Sequence, residues 1–170
     1  MMERVYFESL FQIRLADEED IPDIMRITRE AFLKYKELAG IEHVDALDET
    51  YNDVKRDLES KIVLLALSDG EPVGSARIEI FPDNTAELTR FGVKVTSQNN
   101  GIGKSIMNLV DRMMTRCNVK SIHLFTGTKI TPLIRFYYGR GFYIDSTERS
   151  RGYIRAKLVK DYDRNQICEQ

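Results

Sequence analysis

Two glycines one residue apart, Gly101 and Gly103, sit in the run Ser97-Gln98-Asn99-Asn100-Gly101-Ile102-Gly103-Lys104-Ser105. A strand pattern ends at Val95, just before this run, and helical spacing begins inside it. The first N–H groups of a helix have no partner within the helix and carry partial positive charge, so they form an anion site. Glycine lets a phosphate approach the backbone closely. A pyrophosphate fits the amides of Asn99, Asn100, Gly101, Ile102, Gly103 and Lys104, with the Lys104 or Ser105 side chain adding a contact. The same run also reads as a helix-starting turn with no ligand. It is not a phosphate-binding Walker loop, because no glycine stands five residues before Gly103. Nor is it the dinucleotide pattern, because position 106 is Ile and not a third glycine.

The surrounding elements must hold this turn in place. Residues 11–16 alternate apolar and polar and read as a first strand. Asp20 is placed to cap a helix with Pro22 in its first turn and Ile21, Ile24, Met25, Ala31 and Phe32 along one face. Leu47, Tyr51, Val54 and Leu58 predict a second helix over 46–59, whose other face is acidic: Asp48, Glu49, Asp53, Asp57 and Glu59. Such a charge run usually faces solvent, although it could also attract a cationic amine. Ile62 to Leu67 reads as a strand buried on both faces, and Val73 to Ile80 alternates. A strand over 85–95 then leads into the glycine turn. Ile102, Ile106, Leu109, Val110 and Met113 make the next helical stripe. A strand over 120–126, a short helix from Pro132 to Tyr138, and strands over 142–146 and 152–159 complete the chain. Seven strands and four helices in this order imply an α/β fold, a mixed sheet with helices on both faces.

The 170 residues make one domain, with its core over about 11–160. A net charge of -2 gives no electrostatic footprint for nucleic acid. Cys117 and Cys168 are too few for a disulfide framework and have no metal-ligand spacing with His43 or His123, so no metal is expected. Reduced thiols fit a cytoplasmic protein. No apolar run is long enough to span a bilayer. Met1-Met2-Glu3-Arg4 opens no signal-peptide pattern.

Val93-x-Val95-x-x-Gln98-x-x-Gly101-x-Gly103 resembles the central motif of the GCN5-related N-acetyltransferases, Arg/Gln-x-x-Gly-x-Gly/Ala. Phe136-Tyr137-Tyr138-Gly139-Arg140-Gly141-Phe142 is similar to that family's Phe-Tyr-x-x-x-Gly-Phe signature. Asp69-Gly70-Glu71-Pro72-Val73-Gly74 looks like its turn between two early strands, and Arg14-Leu15-Ala16 through Asp20-Ile21 matches its opening. The resemblance covers Phe11 to Lys160. It implies that acetyl-CoA donates an acyl group to a primary amine by direct attack in a ternary complex. It implies two parallel strands, 85–95 and 120–126, that part to hold the pantetheine arm against the backbone of Phe91, Val93 and Val95. A bulge at Gly92 would then free the Val93 amide for the thioester carbonyl. One position departs from the family pattern: Ile130 stands where an Asn often contacts pantetheine, so either Thr128 or Thr131 substitutes or the contact is absent.

Acyl transfer to an amine needs a base, a polarised carbonyl and a proton for the leaving thiolate. The resemblance places Tyr137 at the thioester sulfur as the acid; otherwise Tyr137 packs with Phe136 and Tyr138. Glu87 is the candidate base. On a regular strand it shares a face with Thr89, Phe91 and Val93, and the histone-acetylating branch of the family keeps a glutamate at this place. The alternative is a surface pair of Glu87 with Arg90. His43 reads as a loop residue near the acceptor wall, and His123 as a packed strand residue. A non-catalytic acyl-CoA-binding module would keep the glycine turn without needing Tyr137 or Glu87. The acceptor is a small-molecule or peptide amine, and a homodimer is left open.

Overall fold

Among the described residues, eight strands form one mixed sheet, and four α-helices pack on it. In chain order these are β1 (Tyr6–Glu8), β2 (Phe11–Leu15), α1 (Ile21–Ala39), α2 (Tyr51–Ser60), β3 (Ile62–Ser68), β4 (Glu71–Ile80), β5 (Thr85–Val93), α3 (Ile102–Arg116), β6 (Ser121–Gly127), α4 (Thr131–Gly139), β7 (Tyr143–Ser150) and β8 (Tyr153–Asp161). The computed structural model describes residues 6–8 and 11–162; Met1–Arg4 and Cys168, read above for a leader and for thiols, lie outside them. The strand order is β1-β2-β3-β4-β5-β6-β8-β7. β5 and β6 run parallel, and every other neighbouring pair is antiparallel. The expected seven strands and four helices are present. β1 is the addition, and three residues are too short to show a pattern.

Side-chain alternation divides the sheet into two faces. Leu64, Ala76, Ile78, Ala86, Ile122 and Leu158 point to one face and bury Ile102, Ile106, Leu109 and Val110 of α3. Val63 and Leu65 point to the other and bury Ile21, Ile24 and Ile27 of α1 with Val54 of α2. The buried stripe of α1 therefore runs through Ile27 and Thr28. Of the face expected from the sequence, Met25 and Phe32 are only partly buried.

The start of α1 differs from expectation. Asp20 precedes the helix but makes no side-chain cap. Asp17 caps a short 3₁₀ turn, Glu18–Asp20, and α1 continues from it. The Asp20 carboxylate turns inward instead. It accepts from both terminal nitrogens of Arg14, at 2.6 and 2.8 Å, and from the Asp17 amide at 2.9 Å. Burial alone would raise its pKa, but the Arg14 and Asp17 hydrogen bonds outweigh burial and hold it below the usual value of 3.8. Asp20→Asn should cost about 1.5–3 kcal/mol near neutrality, since hydrogen bonds to a charged group are lost. A depressed carboxylate stabilises above its unfolded pKa and loses that effect as pH falls through the folded one. The difference in melting temperature between wild type and Asp20→Asn should therefore shrink below about pH 3.8; a gap unchanged by acid would remove the role of charge.

The second helix starts later than its pattern predicts. Asp45–Leu47 is a separate 3₁₀ turn, and α2 begins at Tyr51 behind a capping box of Thr50 and Asp53. The acidic face is only partly solvated. Glu49 and Asp57 both accept from Nη1 of Arg77, a β4 side chain that is 1% exposed. Glu49 also accepts from Arg90 Nε at 3.3 Å. One carboxylate, itself 7% exposed, thus links β4 to β5.

Candidate active site

The gap between β5 and β6 organises the site. Their ladder holds only Thr85–Ser121, Ala86–Ile122 and Glu87–His123. Past Glu87 the two strands part. β5 stays paired to β4 as far as Val93, and β6 stays paired to β8 as far as Gly127. One edge of each strand therefore borders the wedge without a strand partner.

A bulge changes what β5 presents to it. Thr89 pairs with Arg77 and Gly92 with Ser75, so Arg90 and Phe91 together oppose Ala76. Arg90 takes φ +50° there, and Glu49 holds its guanidinium. The bulge is thus at Arg90–Phe91 and not at Gly92. Gly92 answers to close approach instead: a Cβ would lie 2.8 Å from Cβ of Ala31 on α1. The extra residue also reverses the side-chain phase. Glu87 and Thr89 face the α1 side, whereas Phe91 and Val93 join the core on the α3 side. The expectation that all four share one face fails for this reason.

Beyond the bulge the ladder is regular, and the Lys94 amide donates to Val73 O at 2.8 Å. Successive N–H groups of a strand alternate in direction, so the Val93 N–H points away from β4 and into the wedge. The Val93 carbonyl accepts from Gln98 Nε2 at 3.1 Å. Val95, expected on the strand, belongs to a 3₁₀ turn, Val95–Ser97. Its amide donates to the Glu30 carboxylate of α1 at 3.1 Å. A bound chain could pair with the Val95 amide only by displacing Glu30.

Next comes the glycine turn. Asn99 and Gly101 both have positive φ, +67° and +84°, which coils the chain tightly into α3. Asn99 tolerates this conformation better than most side chains do. No side chain caps α3, and its first intrahelical bond is from the Ser105 amide to Gly101 O. The amides of Ile102, Gly103 and Lys104 precede that bond and are open to an anion. Ile102 anchors the turn through a buried side chain, while Gln98, Asn99, Asn100 and Lys104 are exposed around it. A Cβ on Gly103 would come within 3.3 Å of the Phe91 ring. Glycine here lets α3 lie against the wedge-lining aromatic.

α4 brings Tyr137 to the same place. Its ring packs in an aromatic group with Phe91, Phe136 and Phe142, at centroid distances of 5.3–6.4 Å. Tyr137 is buried, and burial, with the Tyr35 phenol adding to it, pushes its pKa well above the ordinary value. The phenol therefore keeps its proton and has it to donate. Ile130, in place of the family's Asn, is buried at the start of α4. Thr128 spends its hydroxyl on Ile154 O, and Thr131 is exposed. Thr126 is the better placed hydroxyl, since it is buried in β6 at the wedge and has no hydrogen-bond partner among the described residues.

Glu87 stands at the apex, in the last β5–β6 ladder pair. It pairs with His123 and not with Arg90: His123 Nε2 lies 3.0 Å from Glu87 Oε2. An ionised carboxylate only accepts, so Nε2 carries the proton in this pair. Phe81 and Phe125 flank the imidazole. His123, read as a packed residue, is thus the direct partner of the candidate base. Parallel register with β5 is the missing signal, because it sets position 123 beside position 87.

A cleft of about 320 Å³ opens beside the wedge, and Glu87, Phe91 and Tyr137 line it together. His43 lines it as well, hydrogen-bonded to Asp45 at 3.0 Å. Two tyrosines missed in the sequence close one end. Tyr35 of α1 accepts from the Gly127 amide at 2.9 Å, and its hydroxyl is 3.0 Å from that of Tyr153. Tyr35 follows Phe32 by three residues, so extending the α1 stripe by one turn would have found it. Cys117 ends α3 and is exposed. Among the described residues no group of side chains could hold a metal, and no helix is long and apolar enough to cross a membrane.

A mixed sheet parted between parallel neighbours, with an uncapped helix start at one end of the gap and a buried tyrosine across it, marks a class. The chain belongs to the acetyltransferase (GNAT) family, whose model matches residues 21–142. Both the glycine turn and the Phe136–Phe142 motif lie inside that match. Among relatives, a spermidine N(1)-acetyltransferase of Thermoplasma acidophilum is 24% identical over 149 residues, covering 82% of this chain and 92% of that protein. The fold also matches solved structures. The PaiA N-acetyltransferase of T. acidophilum, solved with coenzyme A, gives a TM-score of 0.79 at 21% identity and covers 89% of this chain and 99% of that one. The ribosomal-protein-S18-alanine N-acetyltransferase of Escherichia coli gives 0.74 at 14% identity and covers 91% and 97%.

Proposed function

We propose that this protein transfers an acetyl group from acetyl-CoA to a primary amine, by direct attack in a ternary complex. The observation that carries the reading is the wedge. Beyond Glu87 and His123 the parted edge of β5 faces Tyr137 and runs toward the open amides of α3. The pyrophosphate of the donor fits the amides of Ile102, Gly103 and Lys104, with Gln98, Asn99, Asn100 and Gly101 shaping the turn. The pantetheine arm lies along Phe91 and Val93. The Val93 N–H is directed to polarise the thioester carbonyl. Glu87, steadied by His123, takes the proton of the amine through water. Tyr137 donates a hydrogen bond to the departing sulfur. The coenzyme A bound in the PaiA structure and the amine acetylated by the spermidine relative support donor and acceptor class alike.

The test combines binding and turnover. Acetyl-CoA at a hundredfold over its dissociation constant adds about 2.7 kcal/mol, which should raise the melting temperature by roughly 5–11 °C. CoA should do the same and ATP should not. Thiol release should then depend on added amine. Tyr137→Phe should lower kcat and keep the melting shift. Equal turnover in Tyr137→Phe would remove its role, and no shift with either CoA species would remove the function.

A further inference from the structure

The charges of the acceptor cleft are unevenly committed. It is lined by three carboxylates, Asp45, Asp57 and Glu87, and by four strong cations, Lys61, Arg90, Arg151 and Arg155. Every carboxylate already has a partner: Arg151 on Asp45, Arg77 and Lys61 on Asp57, His123 on Glu87. Three of the cations are equally engaged, with Lys61 at 3.2 Å from Asp57, Arg90 at 3.3 Å from Glu49, and Arg151 at 2.5 Å from Asp45. Arg155 differs. Among the described residues its side chain makes no hydrogen bond, and its one ion partner, Glu148, is 3.9 Å away and 53% exposed.

Yet Arg155 is held. Its side chain is 12% exposed, and its guanidinium lies over the Phe125 ring at 4.7 Å from the centroid. Stacking on an aromatic face fixes the plane of a guanidinium and leaves its edge free to meet two oxygens of one anion. Arg155 pairs in register with Gly127, at the open end of β6, on the sheet face that carries Glu87, His123 and Phe125. A preset, weakly partnered cation on the acceptor side of the site suits an anionic group, and it disfavours a second positive charge.

We infer that the acceptor is an amine that also carries an anionic oxygen group, most simply an amino acid, and that Arg155 binds its carboxylate. This rests on the acetyltransfer reading of the same cleft. It departs from a polycationic acceptor of the kind named for the spermidine relative, for which Arg155, the least engaged cation of this cleft, has the wrong sign.

The experiment compares acceptors with and without an anionic group. Glycine, β-alanine, γ-aminobutyrate and longer ω-amino acids are each paired with their carboxamide, phosphoethanolamine is paired with ethanolamine, and spermidine is run alongside. Wild type should prefer the anionic member of its best pair by about tenfold or more in kcat/KM, roughly the value of one charged hydrogen-bonded contact. Arg155→Gln should bring that ratio close to one through KM, and Arg155→Lys should restore part of it. A preference confined to phosphoethanolamine would support the anion site with phosphate as its ligand. Carboxamides or spermidine equal to or better than the acids would overturn the inference, as would a ratio that Arg155→Gln leaves intact. If no amine is acetylated, the function proposed above fails. Calorimetry of the same pairs on the CoA-bearing protein then decides the anion site separately: acids binding above carboxamides supports it, and equal binding overturns it.

Discussion

Glu87→Gln is expected to lower kcat by about 10²–10⁴-fold, the usual contribution of a positioned acid or base. Glutamine keeps the shape of the side chain, and its carbonyl can still accept from His123. What is lost is the ability to take a proton. The melting shift with acetyl-CoA should persist, because Glu87 lies at the wedge apex and away from the α3 amides. A kcat like that of wild type would show that the amine loses its proton elsewhere. His123→Gln makes a useful companion. It leaves Glu87 able to accept a proton but less fixed, so its loss in kcat should be smaller than that of Glu87→Gln.

The second large effect concerns Arg77. Arg77→Met removes a buried charge while nearly keeping the volume, and it leaves Glu49 and Asp57 without that partner. Breaking a buried ion pair from one side costs about 3–5 kcal/mol, or roughly 6–20 °C in melting temperature for a domain of this size. The arrangement is not an optimal one to begin with, since Nε and Nη2 of Arg77 are buried with no partner among the described residues. Removing both charges, as in Arg77→Met with Glu49→Gln, should therefore cost less than the sum of the single changes. Because Glu49 also holds Arg90, the single variant should lower kcat as well as stability. A melting loss under about 2 °C would mean that the cluster is hydrated and weak.

How far the sequence carried the fold depends on the range of the forces involved. Local periodicity revealed β4, α3 and the buried β3, because each is written in consecutive side chains. The glycine turn was equally legible, since glycine suits the positive φ at Gly101 and a Cβ at Gly103 would press on the Phe91 ring. Local reading failed where tertiary partners decide. Asp20 has the residue type and place of a helix cap, but Arg14 draws its carboxylate away. Glu49 and Asp57 looked like a solvated face because Arg77 is remote in sequence. Glu87 and His123 are 36 residues apart, and only the strand pairing brings them together. Arg155 belongs to the same class: nothing in its neighbours predicts that Phe125 will lie beneath it. In the site, the glycine turn and Tyr137 are written in local motifs, whereas the Glu87–His123 and Arg155–Phe125 contacts are written only in strand register.

The bulge at Arg90–Phe91 also has a consequence for how this chain can vary. It works as a phase boundary in β5, so residue identity and residue count are under different constraints on its two sides. A point change at Arg90 to Asn or Gly keeps the count and suits the positive φ. Loss of Arg90 would leave Phe91 opposite Ala76 and Gly92 opposite Ser75, so a regular ladder would still turn Phe91 and Val93 to the α3 side. One residue lost or gained in the regular stretch after Phe91 has no bulge to absorb it; it would turn the side chains that follow by half a strand period and swing the wedge-facing amide toward β4. Homologous chains should therefore vary in length at the bulge far more readily than on either side of it.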